Sequence, residues 1–146
     1  MLRPLLFAFG LALCFVLPAC QSYTSGLQKT MTGADETAAI AALHAIALGQ
    51  QTYSLTNGGE YGTFQQLTAG GFLDARYSGN KPVKDYVLTM NVTPKASSDP
   101  EGSFTCNADP DNTSGSAARH FYVDSSSTAI HVNPNQPATA NDPTAQ

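Results

Sequence analysis

The amino-acid sequence predicts an α+β domain in which one long N-terminal helix packs on an antiparallel sheet of about four strands. Two observations support this prediction. Apolar residues recur at three- and four-residue spacing in the segment before residue 56, which is the period of an amphipathic helix. Beyond residue 85, apolar and polar residues alternate in four short segments, as they do in half-buried strands. The helix-first order therefore favours a meander of strands laid against a single helix.

The predicted helix begins at Thr32, whose side chain is suited to cap it, with Asp35 three residues later near the positive end of the helix dipole. It continues to about Leu55, where Asn57-Gly58-Gly59 ends it. One face of the helix, within an arc of about 140°, is predicted to pack on the sheet. The residues of this face are Ile40, Leu43, Ile46, Ala47, Gln50 and Tyr53.

Two leucines point away from that face. Leu48 and Leu55 lie almost opposite it, beside His44 and Thr52. A helix that packs on one sheet has no packing reason to place leucines on its outer side. Single exposed leucines are nevertheless common on soluble proteins. The pair is therefore either a set of scattered surface residues or a contact surface for another protein.

The rest of the domain is predicted as one short helical turn followed by four strands. Thr63 caps the turn, and four apolar side chains fold back onto the long helix, namely Phe64, Leu67, Phe72 and Leu73. The strand segments are Tyr86–Val92, Phe104–Ala108, His120–Val123 and Ala129–Val132.

The last two strands form a hairpin whose register can be tested on the sequence. Pairing Val123 with Ile130 also pairs Phe121 with Val132, so that all four apolar side chains share one side. The opposite side then carries His120, Tyr122 and His131 as candidate ligand contacts. Two imidazoles fall short of the four ligands of structural zinc, so neither a metal nor a cofactor is predicted. Asp109-Pro110-Asp111-Asn112 offers oxygen atoms to calcium, but a simple turn explains the same residues.

The chain opens with an apolar run that is too short to span a membrane. Leu5 to Val16 supply about a dozen residues, against the roughly 20 that a spanning helix needs. The run ends in Leu17-Pro18-Ala19-Cys20, which resembles the lipobox of bacterial lipoproteins. The resemblance implies that residues 1–19 are a cleaved signal peptide and that Cys20 is acylated. The alternative is an ordinary secretory signal cut nearby, with Cys20 incidental.

Composition limits the partners and the location. The 146-residue chain has a formal net charge of −4 and no run of Lys or Arg, which argues against a nucleic-acid partner. Membrane attachment then depends on acyl chains, of which two or more anchor a protein stably. The expected location is the bacterial cell envelope, with the head in the periplasm. By resemblance to enteric lipoproteins, Gln21 implies transfer to the outer membrane.

The mature chain is predicted to consist of three parts. Residues 20–33 are small and polar and form a flexible tether, residues 34–137 form the globular domain, and residues 138–146 form an irregular tail. Cys14 lies in the leader and Cys20 is blocked by lipid, which leaves Cys106 without a disulfide partner. The strand-like setting of Cys106 predicts a small buried hydrophobic residue rather than a nucleophile.

Several spaced segments of the mature chain share a pattern with a known family. They are Ala38–Ile46 with Gln50–Tyr53, Tyr61–Phe64 with Leu67 and Gly71–Asp74, and Ala118–Asp124 with Ile130–Asn133 and Pro137–Pro143. Together they resemble the heads of type IV pilins and type II secretion pseudopilins. The resemblance implies a pilin-like head with a non-catalytic structural or accessory role in a pilus or secretion apparatus. Leu48, Leu55 and the loop Thr93–Gly102 are then the candidate partner contacts.

The chain departs from the pilin pattern at its start. A prepilin carries Gly, then Phe, and then a Glu five residues into an apolar helix, whereas here Leu11 follows Gly10 and Phe15 is the fifth residue. The segment that packs pilins into a fibre is therefore missing, and lipid and tether replace it. The alternative function is an envelope lipoprotein that binds a small ligand, a peptide or a surface polymer through the sheet face around His120, Tyr122 and His131.

Overall fold

The computed structural model describes residues 19–78, 82–97, 100–111 and 118–145, with side chains from Met31 onward. Residues 1–18 of the predicted leader, residues 1–19, lie outside the described residues. The elements are α1 (Ala19–Thr56), α2 (Phe64–Ala69), a 3₁₀ turn (Ala75–Tyr77), β1 (Tyr86–Thr93), β2 (Ser103–Pro110), β3 (His120–Asp124) and β4 (Ser127–Asn133). The strands form one antiparallel sheet in the order β1-β2-β3-β4. The predicted α+β class, with one long helix and four strands, is confirmed.

The start of α1 corrects the prediction of a flexible tether at residues 20–33. The helix is 38 residues long and begins at Ala19, so Thr32 lies inside it rather than at its cap. Thr37 Oγ1 donates to the Gly33 carbonyl oxygen at 2.8 Å, which is the bonding pattern of a helix interior. Extending a formed helix costs much less free energy than nucleating a new one. No proline interrupts residues 19–56, so the helix can continue back to Ala19.

The predicted inner face of α1 is confirmed. Leu43, Ile46, Ala47 and Gln50 are buried, and Ile40 and Tyr53 pack against the same core at its margin. The helix also lies close to the segment after α2. A Cβ atom added to Gly49 would lie 2.7 Å from the Phe72 carbonyl oxygen, so only glycine allows this approach.

The end of α1 and the start of α2 are built as the sequence predicts. α1 stops at Thr56, where Gly58 and Gly59 take the left-handed backbone conformation and the Gly59 N–H donates to the Ser54 carbonyl oxygen. Thr63 caps α2 in a capping box with Gln66. These caps turn the chain back so that Leu67 is buried against α1.

The sheet packs its apolar side on α1. Phe104, Cys106 and Ala108 alternate with more exposed residues along β2, as predicted. In the final hairpin Phe121 pairs with Val132, which confirms the predicted pairing of these residues. The register then shifts between Tyr122 and Asp124, so that Asp124 pairs with Ser127 across the serine turn.

An ion pair joins the upstream part of α1 to the start of β3. Arg119 approaches Glu36 with its backbone N–H, Nε and a terminal guanidinium nitrogen, the last at 2.7 Å. Burial opposes ionisation of the Glu36 carboxyl, but the hydrogen bonds and charge of Arg119 outweigh it and lower its pKa. Tyr86 secures the same point by donating its hydroxyl to the Arg119 carbonyl oxygen at 2.8 Å.

A buried amide joins the downstream part of α1 to the chain that follows. Gln50 is the one fully buried polar side chain among the residues that the structure describes. Its Nε2 donates to the Gly62 carbonyl oxygen at 2.6 Å, and the Gly62 N–H donates to its Oε1 at 2.8 Å. One side chain therefore satisfies both polar groups of a buried backbone unit.

We expect Gln50→Leu to lower the free energy of unfolding by about 1–3 kcal/mol, because the Gly62 N–H and carbonyl would lose their partners inside the protein. Denaturant titration followed by circular dichroism measures the change. The neighbouring exposed residue provides the control, since Gln51→Leu should change the same free energy by less than about 0.5 kcal/mol. Equal effects of the two substitutions would contradict a structural role for the Gln50 amide.

Candidate functional site

The outer face of α1 exposes large apolar side chains to solvent. Leu48 is 65% exposed and Leu55 is 86% exposed, so the prediction that both point away from the sheet is confirmed. Met31, further up the same helix, is 65% exposed. None of these three side chains belongs to the core of the domain, and each leaves much of its apolar surface in contact with water.

This face also lacks charge. Between Met31 and Thr56, the exposed residues of α1 include no Lys, Arg, Asp or Glu. Asp35 and Glu36, the two acidic residues of this stretch, are half-buried. The solvent side of an amphipathic helix ordinarily carries charged residues. An uncharged outer face with exposed leucines is therefore the pattern of a helix that contacts another surface.

A groove runs beside the centre of this face. It has a volume of about 370 Å³ and lies between α1 and the segment that follows α2. Ala45, Leu48 and Thr52 line it from the helix, and Phe72 and Tyr77 line it from the other side. The aromatic rings give the groove an apolar wall, so Leu48 belongs to a larger surface than its own side chain. Leu55 lies beyond the groove.

The outer face of the sheet brings together the other three predicted site residues. Tyr122 pairs with His131 across β3 and β4, with their rings in edge contact at 6.1 Å. His120 pairs with Asn133, which places it diagonally from His131 as predicted. All three side chains are half-buried rather than fully exposed. The sequence therefore located this cluster correctly.

Each of these three side chains already has a partner within the chain. His120 Nδ1 lies 2.7 Å from Asp109 Oδ1, and the Tyr122 hydroxyl donates to Asp124 Oδ2 at 3.0 Å. Burial and the bond to Asp124 raise the pKa of Tyr122 to about 12. His131 Nδ1 donates to a carbonyl oxygen of the C-terminal segment at 2.6 Å. A ligand at this face would have to compete with these bonds.

The C-terminal segment, residues 134–145, packs on the sheet. The Val132 N–H donates to the Pro143 carbonyl oxygen, and the Ala145 N–H donates to the Ile130 carbonyl oxygen, so the segment borders the free edge of β4. Ala138 is buried, and its carbonyl accepts from Asn107 Nδ2 on β2. The segment covers part of the face around His120, Tyr122 and His131, and Thr144 forms an isolated β-bridge with His131.

Asp142 holds this segment in place, and no periodic pattern of residues indicates this role. Its carboxylate accepts from the Asn133 side chain at 2.8 Å, from the Thr139 N–H at 2.7 Å and from the Thr139 hydroxyl at 2.9 Å. The Thr139 N–H, followed by the Asn133 amide, lowers the pKa of Asp142. The segment is therefore attached at pH values above the usual pKa of a carboxyl group. The attachment is lost as pH falls through the lowered pKa of Asp142.

The remaining chemical hypotheses find little support in the described part of the chain. Within residues 19–78, 82–97, 100–111 and 118–145, no three His, Cys, Asp or Glu side chains are grouped to hold a metal ion. Asn112 of the predicted calcium loop lies outside the described residues. Cys106 is buried as predicted, and burial raises the pKa of its thiol to about 12. A thiol in that state is not a reactive nucleophile.

Comparison with known proteins adds no assignment. No protein-family model, curated protein or solved structure matches the chain. Separately, none of the helices in the described ranges is both long enough and apolar enough to cross a bilayer. The geometry of the two surfaces, together with the sequence patterns, therefore carries the functional argument.

We expect Asp142→Ala to release the C-terminal segment, because three hydrogen bonds to its carboxylate are lost. Amide hydrogen exchange should become faster at Val132 and Ala145, which bond to the segment or belong to it, while the core of β2 stays protected. Asn141→Ala, at an exposed neighbouring residue, is the control and should leave these exchange rates unchanged. Unchanged exchange in Asp142→Ala would show that other contacts suffice to hold the segment.

Proposed function

We propose that this protein is a non-catalytic envelope lipoprotein, anchored by acyl chains on Cys20, whose pilin-like head has a structural or accessory role in a pilus or secretion apparatus. The observation that carries the proposal is the character of α1. One continuous helix begins beside the lipobox cysteine, packs into the head, and presents an uncharged apolar face to the outside. Such a helix joins a membrane anchor to a docking surface.

The anchor is argued from the residues that precede the helix. Leu17-Pro18-Ala19-Cys20 matches the lipobox pattern, and Cys20 lies in the first turn of α1. At 1.5 Å per residue, Glu36 lies about 24 Å along the helix axis from Cys20. A helical stalk of this length holds the head away from the bilayer at a more constant distance than a flexible tether does.

The proposed location follows from the same start of the chain. Export to the periplasm fits a domain whose one described free cysteine, Cys106, is buried away from oxidants. Gln21 supports placement in the outer membrane, by resemblance to enteric lipoproteins. The sparse, mildly acidic charge leaves the acyl chains as the main source of membrane affinity.

The docking role is argued from the outer face of α1. Leu48 and Leu55 are both largely exposed, so packing in the core of the described domain does not explain their presence. The adjoining groove provides aromatic walls from Phe72 and Tyr77. Of the two predicted surfaces, this one is open, whereas His120 Nδ1, the Tyr122 hydroxyl and His131 Nδ1 are bonded within the chain. Docking of a protein partner is therefore favoured over capture of a small ligand.

We expect Cys20→Ser to release the protein from membranes, because the substitution removes the thiol that receives the lipid. Cell fractionation with an alkaline wash, together with metabolic labelling by a radioactive fatty acid, measures attachment and acylation. Gln21→Asp is the matched control: the protein should stay acylated and membrane-bound but accumulate in the inner membrane. A Cys20→Ser protein that remains as firmly bound as the parent would contradict the lipid anchor.

We expect the double substitution Leu48→Asp with Leu55→Asp to abolish capture of protein partners in the envelope while the fold is retained. Both side chains are exposed, so the free energy of unfolding should change by less than about 1 kcal/mol in total. Chemical cross-linking in intact cells, followed by mass spectrometry, identifies the partners. Gln65→Asp with Ala69→Asp, at exposed positions of α2, is the control. Unfolding of the Leu48/Leu55 variant would instead place these leucines in a core.

A further inference from the structure

The outer face of α1 carries a heptad repeat. Counting from Met31, the first and fourth residues of each successive group of seven share one side of the helix. We name these eight residues the outer seam: Met31, Ala34, Ala38, Ala41, Ala45, Leu48, Thr52 and Leu55. Seven of the eight are apolar and none is charged. A stripe with a period of 3.5 residues is the surface that a second helix covers in a coiled coil.

We propose that a second copy of this chain covers the outer seam, so that two α1 helices form a parallel two-stranded coiled coil. The proposal deepens the docking role and rests on the proposed function, because it takes the lipid on Cys20 as given. Two copies anchored in one membrane leaflet have the starts of their helices at the same surface. Their helices therefore run in the same direction, and identical seams meet residue by residue.

The position of the head on α1 permits this arrangement. Leu43 and Gln50, which face the sheet, occupy the sixth position of their heptads, and Leu48 and Leu55 occupy the fourth. At 3.6 residues per turn these two positions point about 160° apart around the helix. When two seams meet, the two sheets therefore lie on opposite sides of the helix pair. The sheets therefore do not obstruct the contact, and the segment after α2 borders the seam where Ala45, Leu48 and Thr52 line the groove.

The side chains of the seam also suit close packing of two helices. Its first half is lined mainly by alanine, which allows the backbones to approach, and its second half supplies Leu48 and Leu55 as the larger knobs. The holes beside Leu48 include the small or short residues Ala45 and Thr52, which line the groove. No charged residue lies on the seam itself, so its own side chains bring no like charges together, and Asp74 lines the groove beside it.

The size of the seam explains why the anchor matters. From Met31 to Leu55 the helix is about 37 Å long and about 10 Å wide, which gives a contact strip of roughly 400 Å² per copy. A standard stable interface buries about 800 Å² per partner, so this dimer is weak in dilute solution. Anchoring both copies in one membrane raises their effective concentration and compensates for the small area.

Disulfide cross-linking of the full-length lipoprotein in cell envelopes tests the proposal. Ala41→Cys and Leu55→Cys each place a single thiol on the seam. The native cysteines do not interfere, because Cys20 is acylated in the proposed mature protein and Cys106 is buried. Gly33→Cys is the control on the same helix, since an added side chain there meets no atom within 4 Å and lies off the seam. Gln65→Cys on α2 is the second control.

Under mild oxidation, both seam variants should give a band of twice the mass of the mature chain, and neither control should. Adding Leu48→Glu to Ala41→Cys should weaken that band at least about tenfold, because two like charges would then face each other. Adding Gln65→Glu instead should leave it unchanged. No dimer band from the seam variants, or an equal band from Gly33→Cys, would overturn the proposal.

Two further outcomes separate this inference from the proposed function. A disulfide between Ala41→Cys and a different protein would overturn the second copy as the occupant but support the docking role. Cross-linking only when Ala34→Cys and Leu55→Cys chains are mixed would show antiparallel helices and overturn the parallel pair. Release by Cys20→Ser tests the anchor independently, since it is measured without any thiol on the seam.

Discussion

The hydrogen bonds between the Gln50 amide and the Gly62 backbone hold the connection after α1 against the helix. They join residues twelve positions apart, and between these residues α1 ends and the chain reverses before α2. The reversal returns Leu67 and Leu73 to the core and brings the Phe72 carbonyl against Gly49. A polar side chain in the interior is stable only when its hydrogen bonds are satisfied. The buried amide therefore specifies one path for the chain where apolar packing alone would allow several.

The sheet uses its two faces differently, and this difference determines which surface remains open. One face is apolar and is covered by α1, with the Glu36–Arg119 ion pair fixing the upstream contact. The opposite face is polar, and the C-terminal segment covers part of it through Asp142 and Ala138. The outer side of α1 has no comparable cover among the described elements. The functional proposals therefore rest on the helix and not on the sheet.

A continuous helix has a different mechanical consequence from a flexible tether for the proposed lipid anchor. A flexible tether between Cys20 and the head would let each head move independently of its neighbours. Helical backbone from Ala19 onward instead couples the direction of the head to the direction of the end that carries the proposed lipid. Coupling of this kind reduces the orientational freedom that two docking surfaces lose when they meet. It also extends a single apolar seam along the stalk and the head, from Met31 to Leu55.

Local patterns in the sequence by themselves determined the elements and the faces they bury. The helical period placed Leu43 and Ile46 inside and Leu48 and Leu55 outside, and strand alternation placed Phe104 and Cys106 in the core. Only the tertiary structure decided the start of α1, because weakly helical residues extend a helix that packing has already stabilised. It also decided the pairing of Glu36 with Arg119 and the return of the tail to β4. These contacts join residues far apart in the chain, and no local period encodes them.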